Sequence, residues 1–530
     1  MRFLAPKMLT GAVISIVCVA LAVVAQSPVQ VTVDLSLPTT QFHHIWKESV
    51  GSGHALLGTR TDYHTSLRRF KQDIGFKRVR MHGIFDDDMS VVLPPYDNGD
   101  NRVRYEFYNV DVVYENMLSL GVRPIVELSF MPGWLANCTP WVSNGPPCPY
   151  VMHYDGIVSP PSNFSMWNDL VRALASHLVA KFGVNEVRQW HFEVWNELWG
   201  MPYDPLYKQL YQASYEGIKA VDAQLKIGGP ATMQCQFVGE FVRDFAGKFD
   251  FVSTHLYPTD PNCTSPAPGA SHANCFADTI KDARAKAPAD VPFFVTEYNA
   301  GLFNKELLYS SYAAAFVFRN VVLLHDQVDV WSYWTFSDIF EENGMHSTPF
   351  EGFNYGMQTV RGIKKPVYRA FELLGAAGST LYSTNLSNFP PSFRGDASNY
   401  SVAAFATDSS LSSQHARGDR KGPHVFLSNF VPPAFDQQLA TVFVNISIRG
   451  GGLLCPSTAL VTTVDADHAN PHEAWVTLGR PKYPTPAQLS AIMAASEVMP
   501  IAMATSVGPT GDCVVGFVEL QPWAAVRVDI

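Results

Sequence analysis

Charged residues are scarce in this chain: they make up 16% of its 530 residues, and no cluster of lysine and arginine stands out. The formal net charge is −10, which does not favour binding to nucleic acid, since that depends on basic side chains. No Cys-x-x-Cys or His-x-x-x-His spacing supports a zinc site, so we predict no metal centre and no cofactor. No Gly-x-Gly-x-x-Gly follows the first predicted strand, which weakens the case for a dinucleotide-binding fold.

Hydrophobic residues are abundant, at 47%, and the mean hydropathy is close to zero. These values are typical of a well-packed globular protein. At roughly 150 residues per domain the chain would hold about three or four units. Barrels run to about 250 residues as a single domain, so two large domains fit the length equally well.

The N-terminus has the features of a secretory signal. Arg2 and Lys7 supply positive charge, Gly11–Ala25 is almost wholly apolar, and the run ends in the small residue Ala25. An uncleaved signal anchor is the alternative, but the apolar run is shorter than the ~20 residues that a spanning helix prefers. We therefore predict a signal peptide over residues 1–25 and no membrane contact after its removal. Secretion is the expected fate, and lysosomal delivery, which uses the same entry signal, is the alternative.

Sequons and cysteines agree with export. Asn-x-Ser/Thr occurs at Asn137, Asn163, Asn262, Asn385, Asn399 and Asn445. Sequence cannot establish disulfide connectivity, but the positions suggest Cys138 with Cys148, Cys263 with Cys275, and Cys455 with Cys513. Cys235 is left over, and we expect it to be a buried free thiol.

Short apolar runs alternate with amphipathic stretches from about residue 40 to 340. The predicted strands are His43–Ser49, Arg78–His82, Arg123–Ser129, Arg188–Asn196, Leu225–Gly229, Asp250–His255, Pro292–Tyr298 and Val330–Phe336. Helical patterns lie between them, as in Thr61–Ile74 and Phe164–Phe182. Eight such units predict an α/β fold, a closed (β/α)8 TIM barrel over residues 38–360.

The pattern changes near residue 366. After a last helix at Val367–Leu374, the chain has short alternating runs separated by turn residues: Ser401–Ala406, His424–Phe430, Thr441–Ile448, Ala459–Thr463, Ala474–Leu478, Val514–Leu520 and Ala524–Ile530. They predict a C-terminal antiparallel β-sandwich over residues 366–530. The strand-like run Val29–Leu37 is expected to join it, so residues 26–37 are assigned to the same domain.

Two glutamates stand at strand ends. The fourth predicted strand is largely apolar until its C-terminal end, where Asn196 and Glu197 occur together, and Glu297 stands at the end of the seventh. The C-terminal strand ends of a barrel share one mouth, where active sites form. Glycosidic cleavage needs two carboxyl groups there, one to protonate the leaving oxygen and one to attack the anomeric carbon or activate water.

Five blocks in order over about 300 residues resemble glycoside hydrolase family 39, the β-xylosidase and α-L-iduronidase family. They begin at His82 (HGIFDDD), Phe192 (FEVWNE), Ser253 (STHLYP), Thr296 (TEYN) and Ser332 (SYWTFSDIFEE). The resemblance implies a retaining hydrolase of oligo- or polysaccharides. It departs at Leu198, where the family usually has proline, and this puts the preference for the leaving group in doubt.

The resemblance also implies roles for individual residues. Glu197 would be the general acid/base and Glu297 the nucleophile, with Asn196 holding the sugar 2-hydroxyl. Tyr257 and His255 would hold Glu297 ionised, and Trp334 would form an apolar floor. Ring hydroxyls would be bound by His82, Glu341 and Glu342.

Several of these residues have structural alternatives. His82 and His255 could be histidines that bond backbone carbonyls, and Trp334 could be plain core. Glu193 is expected to pair inside the barrel. Asp86-Asp87-Asp88 could hold a cation, but a solvated loop that caps the following helix is the favoured interpretation.

The charges near the predicted site bear on the identity of the sugar. Acidic residues at Glu341 and Glu342 would repel a substrate carboxylate, so we predict release of a neutral pentose-type sugar, xylose, from β-xylosides. Arg361 and Lys364 follow in sequence and keep an α-L-iduronidase as the alternative. A catalytically inactive carbohydrate-binding module is the alternative from another class, and the presence of both glutamates argues against it.

Overall fold

The computed structural model describes residues 27–94, 103–264, 273–302, 305–352, 354–390, 400–409, 422–432 and 439–530. The predicted signal peptide and the sequon at Asn399 lie outside these ranges. Within them, no helix has the length and apolar character needed to cross a membrane.

Eight parallel strands form a closed barrel and follow one another around it in chain order. In that order they are Val50–His54, Arg78–His82, Arg123–Leu128, His191–Val194, Lys226–Thr232, Phe251–His255, Phe293–Tyr298 and Val330–Tyr333, numbered here as barrel strands one to eight. Strand eight closes the ring through Tyr333, which pairs with Val50 of strand one. The predicted (β/α)8 barrel is confirmed.

Helices connect and surround the barrel strands. They are Thr61–Ile74, Tyr108–Ser119, Phe164–Phe182, Val184–Val187, Lys208–Val221, Val238–Asp244, Pro261–Thr264, Cys275–Arg284, Lys305–Tyr309, Tyr312–Leu324 and Pro366–Leu374.

Helix Phe164–Phe182 shows why these segments are helical. The Asn163 side chain accepts a hydrogen bond from the Ser165 amide and so caps the helix start. Trp167 and Leu174 lie on its buried face, and Gly183 ends it at a positive φ of 86°.

The prediction of the first barrel strand was wrong. His43–Ser49 contains a 3-10 helix, Ile45–Lys47, and the strand is Val50–His54. That strand has glycines at 51 and 53, which give no strand signal in sequence. Packing requires glycine there, because a Cβ at Gly51 would lie 2.3 Å from Cε3 of Trp334.

The second domain is built from strands at both ends of the chain. They are Val29–Asp34, Ala377–Ser387, Val402–Ser409, His424–Asn429, Val442–Arg449, Thr458–Val464, Ile501–Val507, Cys513–Leu520 and Ala525–Asp529. Val29–Asp34 pairs antiparallel with Ala377–Ser387 and parallel with Val442–Arg449, while the other pairs are antiparallel. The predicted sandwich, including its N-terminal strand, is confirmed, although the domain boundaries stay predictions.

Short pairings complete the strands. Thr40–Gln41 adds to the edge of Ala377–Ser387. Two small hairpin-like pairs, Val92–Leu93 with Arg104–Tyr105 and Tyr150–Val151 with Gly156–Ile157, lie outside the two main sheets.

The predicted strand at Ala474–Leu478 was also wrong. Its first four residues lie in a helix, Pro471–Thr477, which Leu478 caps and which a second helix, Pro486–Ala495, follows. The Asn470 side chain accepts from the Glu473 amide, and Pro471 occupies the first turn. These helix-start signals outweigh a short apolar run, which by itself does not separate strand from helix.

The cysteine predictions are confirmed. Disulfides join Cys138 to Cys148, Cys263 to Cys275 and Cys455 to Cys513. Cys235 is free and buried.

Candidate active site

Glu197 and Glu297 meet at the C-terminal mouth of the barrel. Glu297 is the penultimate residue of strand seven, and Glu197 lies three residues beyond strand four. One carboxylate oxygen of each lies within 4.8 Å of the other. Only 9% of Glu197 and 4% of Glu297 is exposed.

The backbone at Glu197 takes an unusual conformation. Glu197 and Leu198 have φ values of 52° and 56°. Left-handed conformations cost non-glycine residues about 1–3 kcal/mol and persist where surrounding contacts enforce them. The Glu197 amide donates to the Ala231 carbonyl of strand five at 2.9 Å. Because proline is confined to φ near −65°, it could not occupy position 198 in this conformation.

Arg80, in the middle of strand two, organises the barrel interior. It is fully buried, and its guanidinium reaches Glu127 at 2.7 Å, Glu193 at 2.5 Å and Glu297 at 2.6 Å. It also donates to Oδ1 of Asn196 at 2.9 Å. The sequence analysis missed Arg80, although a charged residue between the buried Val79 and Met81 was a usable signal.

Glu193 pairs inside the barrel, as expected. Besides the contact with Arg80, its Oε1 accepts a hydrogen bond from Thr296 at 2.8 Å. Both its oxygens are therefore engaged away from the mouth.

His82, at the end of strand two, is a second cation beside Glu297. Its Nδ1 lies 2.8 Å from Glu127, and its Nε2 lies 3.4 Å from Glu342 and 3.6 Å from Glu297. Burial opposes protonation, but the charges of Glu127 and the other carboxylates raise the pKa of His82 to about 10. The imidazole therefore carries a positive charge across the ordinary pH range.

Two side chains at the C-terminal end of strand six, His255 and Tyr257, form hydrogen bonds with the glutamates. Tyr257 donates from its hydroxyl to Oε2 of Glu297 at 2.8 Å, as expected. His255 does not share that role, because its Nδ1 lies 2.8 Å from Oε1 of Glu197 and 3.5 Å from Oε2 of Glu297. Burial and the nearby cations Arg80 and His82 lower the pKa of His255 well below its usual value, so the ring is neutral.

The two carboxyl groups differ in their surroundings. Burial raises the pKa of both, and the facing charge of Glu297 raises the pKa of Glu197 further, to well above its usual value. For Glu297, Arg80 and His82 oppose the effect of burial. Glu197 is therefore the member of the pair that keeps a proton to higher pH.

Trp334 follows strand eight and packs beside His82 and Arg80. Its ring centroid is 4.6 Å from that of His82, and the guanidinium of Arg80 lies 5.9 Å from it. Asn299 donates from Nδ2 to the Trp334 carbonyl at 3.1 Å. The indole is buried, and its role as an apolar floor for the sugar stays a prediction.

Glu341 and Glu342 reach the site from the loop after strand eight. Glu342 is buried against His82, whereas Glu341 is partly exposed and lies 2.7 Å from Nδ1 of His54. His54 ends strand one, and it was missed because that strand was misplaced. Its Nε2 lies 3.4 Å from Asp86 and 3.3 Å from Asp88.

The loop at Asp86–Asp88 is therefore not merely solvated. Asp86 is buried and accepts a hydrogen bond from the Phe130 amide at 3.0 Å. Asp87 accepts from the Gly133 amide at 2.9 Å, and the 3-10 helix Asp87–Met89 has no side-chain cap.

Three groups of described side chains bring a histidine nitrogen and two carboxylate oxygens together. They are His54–Asp86–Asp88, His82–Glu127–Glu297 and Glu197–His255–Glu297. In the first two, neighbouring carboxylates raise the histidine pKa, to about 11 for His54 and about 10 for His82. Protonated imidazoles are not ligands, so a cation there would have to displace protons first. That no metal is used stays a prediction.

A separate polar cavity of about 570 Å³ opens at the other end of the barrel. Its lining includes Arg78, His191, Lys226 and Asp329. These residues stand at or just before the N-terminal ends of barrel strands, away from the two glutamates. Active sites in barrels of this type lie at the opposite face.

Comparison with known proteins gives a consistent result. The chain is 31% identical over 487 residues to a β-xylosidase of Caldicellulosiruptor saccharolyticus, covering 88% of this chain and 92% of that protein. A monomeric β-xylosidase structure from Caulobacter crescentus CB15 superposes with a TM-score of 0.74 at 25% identity, covering 94% and 98% of the two chains. A mouse α-L-iduronidase matches over only 162 residues at 24% identity, 29% of this chain and 22% of that protein.

The model of glycosyl hydrolases family 39 matches residues 29–512. That span includes both glutamates, every barrel strand and most of the second domain. The chain therefore belongs to glycosyl hydrolase family 39 and is an enzyme that hydrolyses O-glycosidic bonds in carbohydrates.

Proposed function

We propose that the protein is an exported, retaining glycoside hydrolase that releases xylose from β-xylosides. The observation that carries this proposal is the approach of Glu197 and Glu297 oxygens to within 4.8 Å. Carboxyl groups about 5–5.5 Å apart are typical of retaining enzymes, whereas inverting enzymes need about 6.5–9.5 Å to admit a water between them.

In the first step, Glu297 attacks the anomeric carbon while Glu197 gives its proton to the leaving oxygen. The bond from carbon to that oxygen breaks, and a glycosyl ester to Glu297 forms. Arg80 and His82 keep Glu297 ionised beforehand, at 2.6 Å and 3.6 Å.

In the second step, the Glu197 carboxylate takes a proton from water, and the resulting hydroxide oxygen attacks the anomeric carbon. The bond to Glu297 breaks, and Glu197 is protonated again. His255, in its Nδ1-protonated form, donates to Oε1 of Glu197 and stabilises the carboxylate formed between the steps. The ring stays neutral throughout, so it acts as a hydrogen-bond donor and not as a counter-charge.

Other residues would hold the sugar. Since Oδ1 of Asn196 accepts from Arg80, its Nδ2, which has no partner among the described residues, is the atom available to the 2-hydroxyl. Trp334 supplies an apolar surface, Tyr257 and His255 frame the anomeric centre, and His82, Glu341 and Glu342 bind hydroxyls.

The charges around the pocket favour a neutral sugar. Glu342 is buried beside His82, and Glu341 lies at the rim. The cation considered for an iduronate carboxylate, Lys364, is instead held by Asp73 at 2.7 Å and Glu372 at 2.5 Å. Both partners belong to outer helices, so Lys364 does not serve the mouth. Arg361 is exposed and leaves iduronate as the second candidate.

Export is supported by the three disulfides, which persist in oxidising compartments. The signal-like sequence at residues 1–25 supports it as well. Both glutamates are present, and Arg80 and His82 lie beside Glu297, which argues against a catalytically inactive binding module.

The test compares hydrolysis of an aryl β-xyloside with that of an aryl α-iduronide, and NMR identifies which anomer of the sugar is released first. We expect turnover of the xyloside and release of the β-anomer before mutarotation. Release of the α-anomer would contradict the retaining mechanism. Turnover of the iduronide alone would show that the sugar is iduronate and not xylose. Turnover of neither substrate would contradict the proposal.

A further inference from the structure

Two phenylalanines on neighbouring strands of the second domain are exposed. Phe443 is 41% exposed and Phe517 is 67% exposed, and they lie on the paired strands Val442–Arg449 and Cys513–Leu520. Neither side chain belongs to the core of the domain or to the catalytic site. An exposed pair of aromatic rings offers a large apolar area to any group that covers it.

The sheet face that carries these side chains is the outer face of the domain. The barrel helix Tyr312–Leu324 packs against the strand His424–Asn429 of the other sheet. Along Val442–Arg449 the valines and isoleucines are buried and alternate with more exposed residues. Because side chains alternate along a strand, Phe443 and Asn445 both point outward, away from that core.

Asn445 lies between the two phenylalanines and begins the sequon Asn445-Ile446-Ser447. Phe443 precedes it by two positions, which places the two side chains on the same face about 7 Å apart. Phe517 adjoins it across the strand pair, since the Phe517 amide donates to Oδ1 of Asn445 at 2.8 Å. The sequon is therefore flanked by an exposed aromatic ring on either side.

The hydrogen bond from Phe517 fixes the orientation of the Asn445 amide. The register shifts opposite Asn445, and Phe517 has a left-handed φ of 56° in this bulge. With Oδ1 bonded to the backbone, Nδ2 of the partly exposed Asn445 has no hydrogen-bond partner among the residues with described side chains. Nδ2 is the atom that carries the sugar in an N-linked glycan.

We infer that Asn445 is a glycosylation site and that the innermost sugar of its N-linked glycan packs on Phe443 and Phe517. The apolar face of a pyranose ring would cover aromatic area that is otherwise left in water. This carbohydrate is a covalent modification on the second domain and is separate from the substrate. The inference rests on export in the proposed function, because N-linked glycans are added in the secretory pathway.

The transfer uses a lipid diphosphate-linked oligosaccharide as its co-substrate. Nδ2 of Asn445 loses a proton to the solvent and forms a bond to the anomeric carbon of the oligosaccharide. The bond from that carbon to the diphosphate oxygen breaks, and the lipid diphosphate leaves with the electron pair. The product keeps Oδ1 as an acceptor, so the hydrogen bond from Phe517 persists.

The sequon at Asn385 offers a matched comparison on the same sheet face. Thr32 pairs with Asn385 on one side and with Ser447 on the other, so the two sequons are two strands apart. Asn385 is exposed, but the residues two positions away on its strand are Ser383 and Ser387. It therefore lacks the aromatic neighbour that Phe443 provides to Asn445.

Glycopeptide mass spectrometry tests the site in the full chain, expressed by a eukaryotic secretory host. We expect glycan on Asn445 in most molecules of the secreted protein, and Asn445→Gln should remove it. An unoccupied Asn445 in secreted protein would overturn the inference.

A second form of the chain separates this inference from the proposed export. In it the host's own signal replaces residues 1–25. If only this form is secreted, and its Asn445 carries glycan, the native chain fails as an exported protein while the glycosylation site stands. If both forms are secreted without glycan at Asn445, export stands and the site is overturned.

A double-mutant cycle tests the packing of the sugar on Phe443. Thermal unfolding midpoints would be measured for Asn445→Gln, Phe443→Ser, the double variant and the unchanged chain. With Phe443 present, loss of the glycan should lower the midpoint by about 1–3 °C, and in Phe443→Ser most of this loss should disappear. The lost hydrogen bond to Phe517 is common to both backgrounds and cancels in the comparison.

Asn385→Gln supplies the control for this cycle. Its effect on the unfolding midpoint should be the same with and without Phe443, because no aromatic ring flanks Asn385 along its strand. An effect of Asn445→Gln that is equally independent of Phe443 would overturn the packing of the sugar on that ring.

Discussion

Arg80 donates from Nη1 to Oε1 of Glu297 at 2.6 Å, whereas in the part of the chain that the structure describes no lysine or arginine forms an ion pair with Glu197. Among the described residues, the titratable partner of Glu197 within hydrogen-bond reach is His255, which burial holds neutral. Two side chains of the same type are thereby separated into an anion and an acid, a division of roles that glycosidic cleavage requires.

Glu297→Gln should abolish turnover on every substrate. An amide cannot attack the anomeric carbon and be displaced again, so even a substrate with a very good leaving group would not react. Steady-state rates with an aryl β-xyloside measure this loss, and the thermal unfolding midpoint serves as the folding control. A folded variant that kept more than a few per cent of wild-type kcat would contradict the assignment of the nucleophile.

The activity that Glu197→Gln loses should depend on how strongly the leaving group needs a proton. With a poorly acidic leaving group we expect a loss of about 10²–10⁴ in kcat/KM, the range typical of general acid catalysis. With an acidic phenol as leaving group the loss should be much smaller. Aryl xylosides of graded phenol pKa give the measurement. Equal losses across the series would argue against an acid role.

His82→Gln should shift the acidic side of the pH–rate profile to higher pH. Activity requires ionised Glu297, and it is lost as pH falls through the pKa of that carboxyl. His82, with its pKa raised to about 10, is a cation throughout this range and stabilises the charged form. Without it the pKa of Glu297 rises, so the acidic limb of kcat/KM against pH moves upward. An unmoved or lowered limb would contradict the electrostatic role.

The basic limb of the same profiles should move to higher pH as well. It reports loss of the Glu197 proton, which burial and Glu297 hold to high pH and which the charge of His82 opposes. Without that charge the pKa of Glu197 rises, so a basic limb that moved to lower pH would contradict the electrostatic role of His82.

Arg80→Met should destabilise the folded protein by about 3–5 kcal/mol. The substitution leaves Glu127, Glu193 and Glu297 buried without their shared counter-ion, and breaking a buried ion pair from one side has costs of this size. Arg80→Lys keeps the charge but cannot make the same set of contacts, so its loss should be smaller. Urea unfolding of both variants checks the order. Equal stability of the methionine variant and wild type would be inconsistent with these pairs.

Removing Cys455–Cys513 should cost more stability than removing Cys138–Cys148. The residues are 58 and 10 positions apart, and the chain-entropy estimate gives about 4 and about 3 kcal/mol respectively. Alanine pairs at each bridge, compared by urea unfolding, test the order. The reverse order would show that native contacts outweigh loop entropy here.

Much of the fold could be predicted from local pattern. The alternation of apolar and amphipathic segments gave seven of the eight barrel strands within a few residues, and Arg78–His82 and Thr61–Ile74 agree with the structure at both ends. The failure at the first barrel strand has a tertiary cause. Strand Val50–His54 has glycines because Trp334, far away in the chain, packs against Gly51, and no local propensity encodes that contact.

The sequence by itself determined the barrel and the two glutamates at strand ends, since both depend on periodicity along the chain, and it suggested the cysteine pairs without establishing their connectivity. Only the tertiary structure decided which charges face which glutamate. Arg80 lies 113 residues from Glu193 and 217 from Glu297, and His255 lies 58 from Glu197. Coulomb energies depend on distances in space and on burial, and these exist only once the barrel has closed.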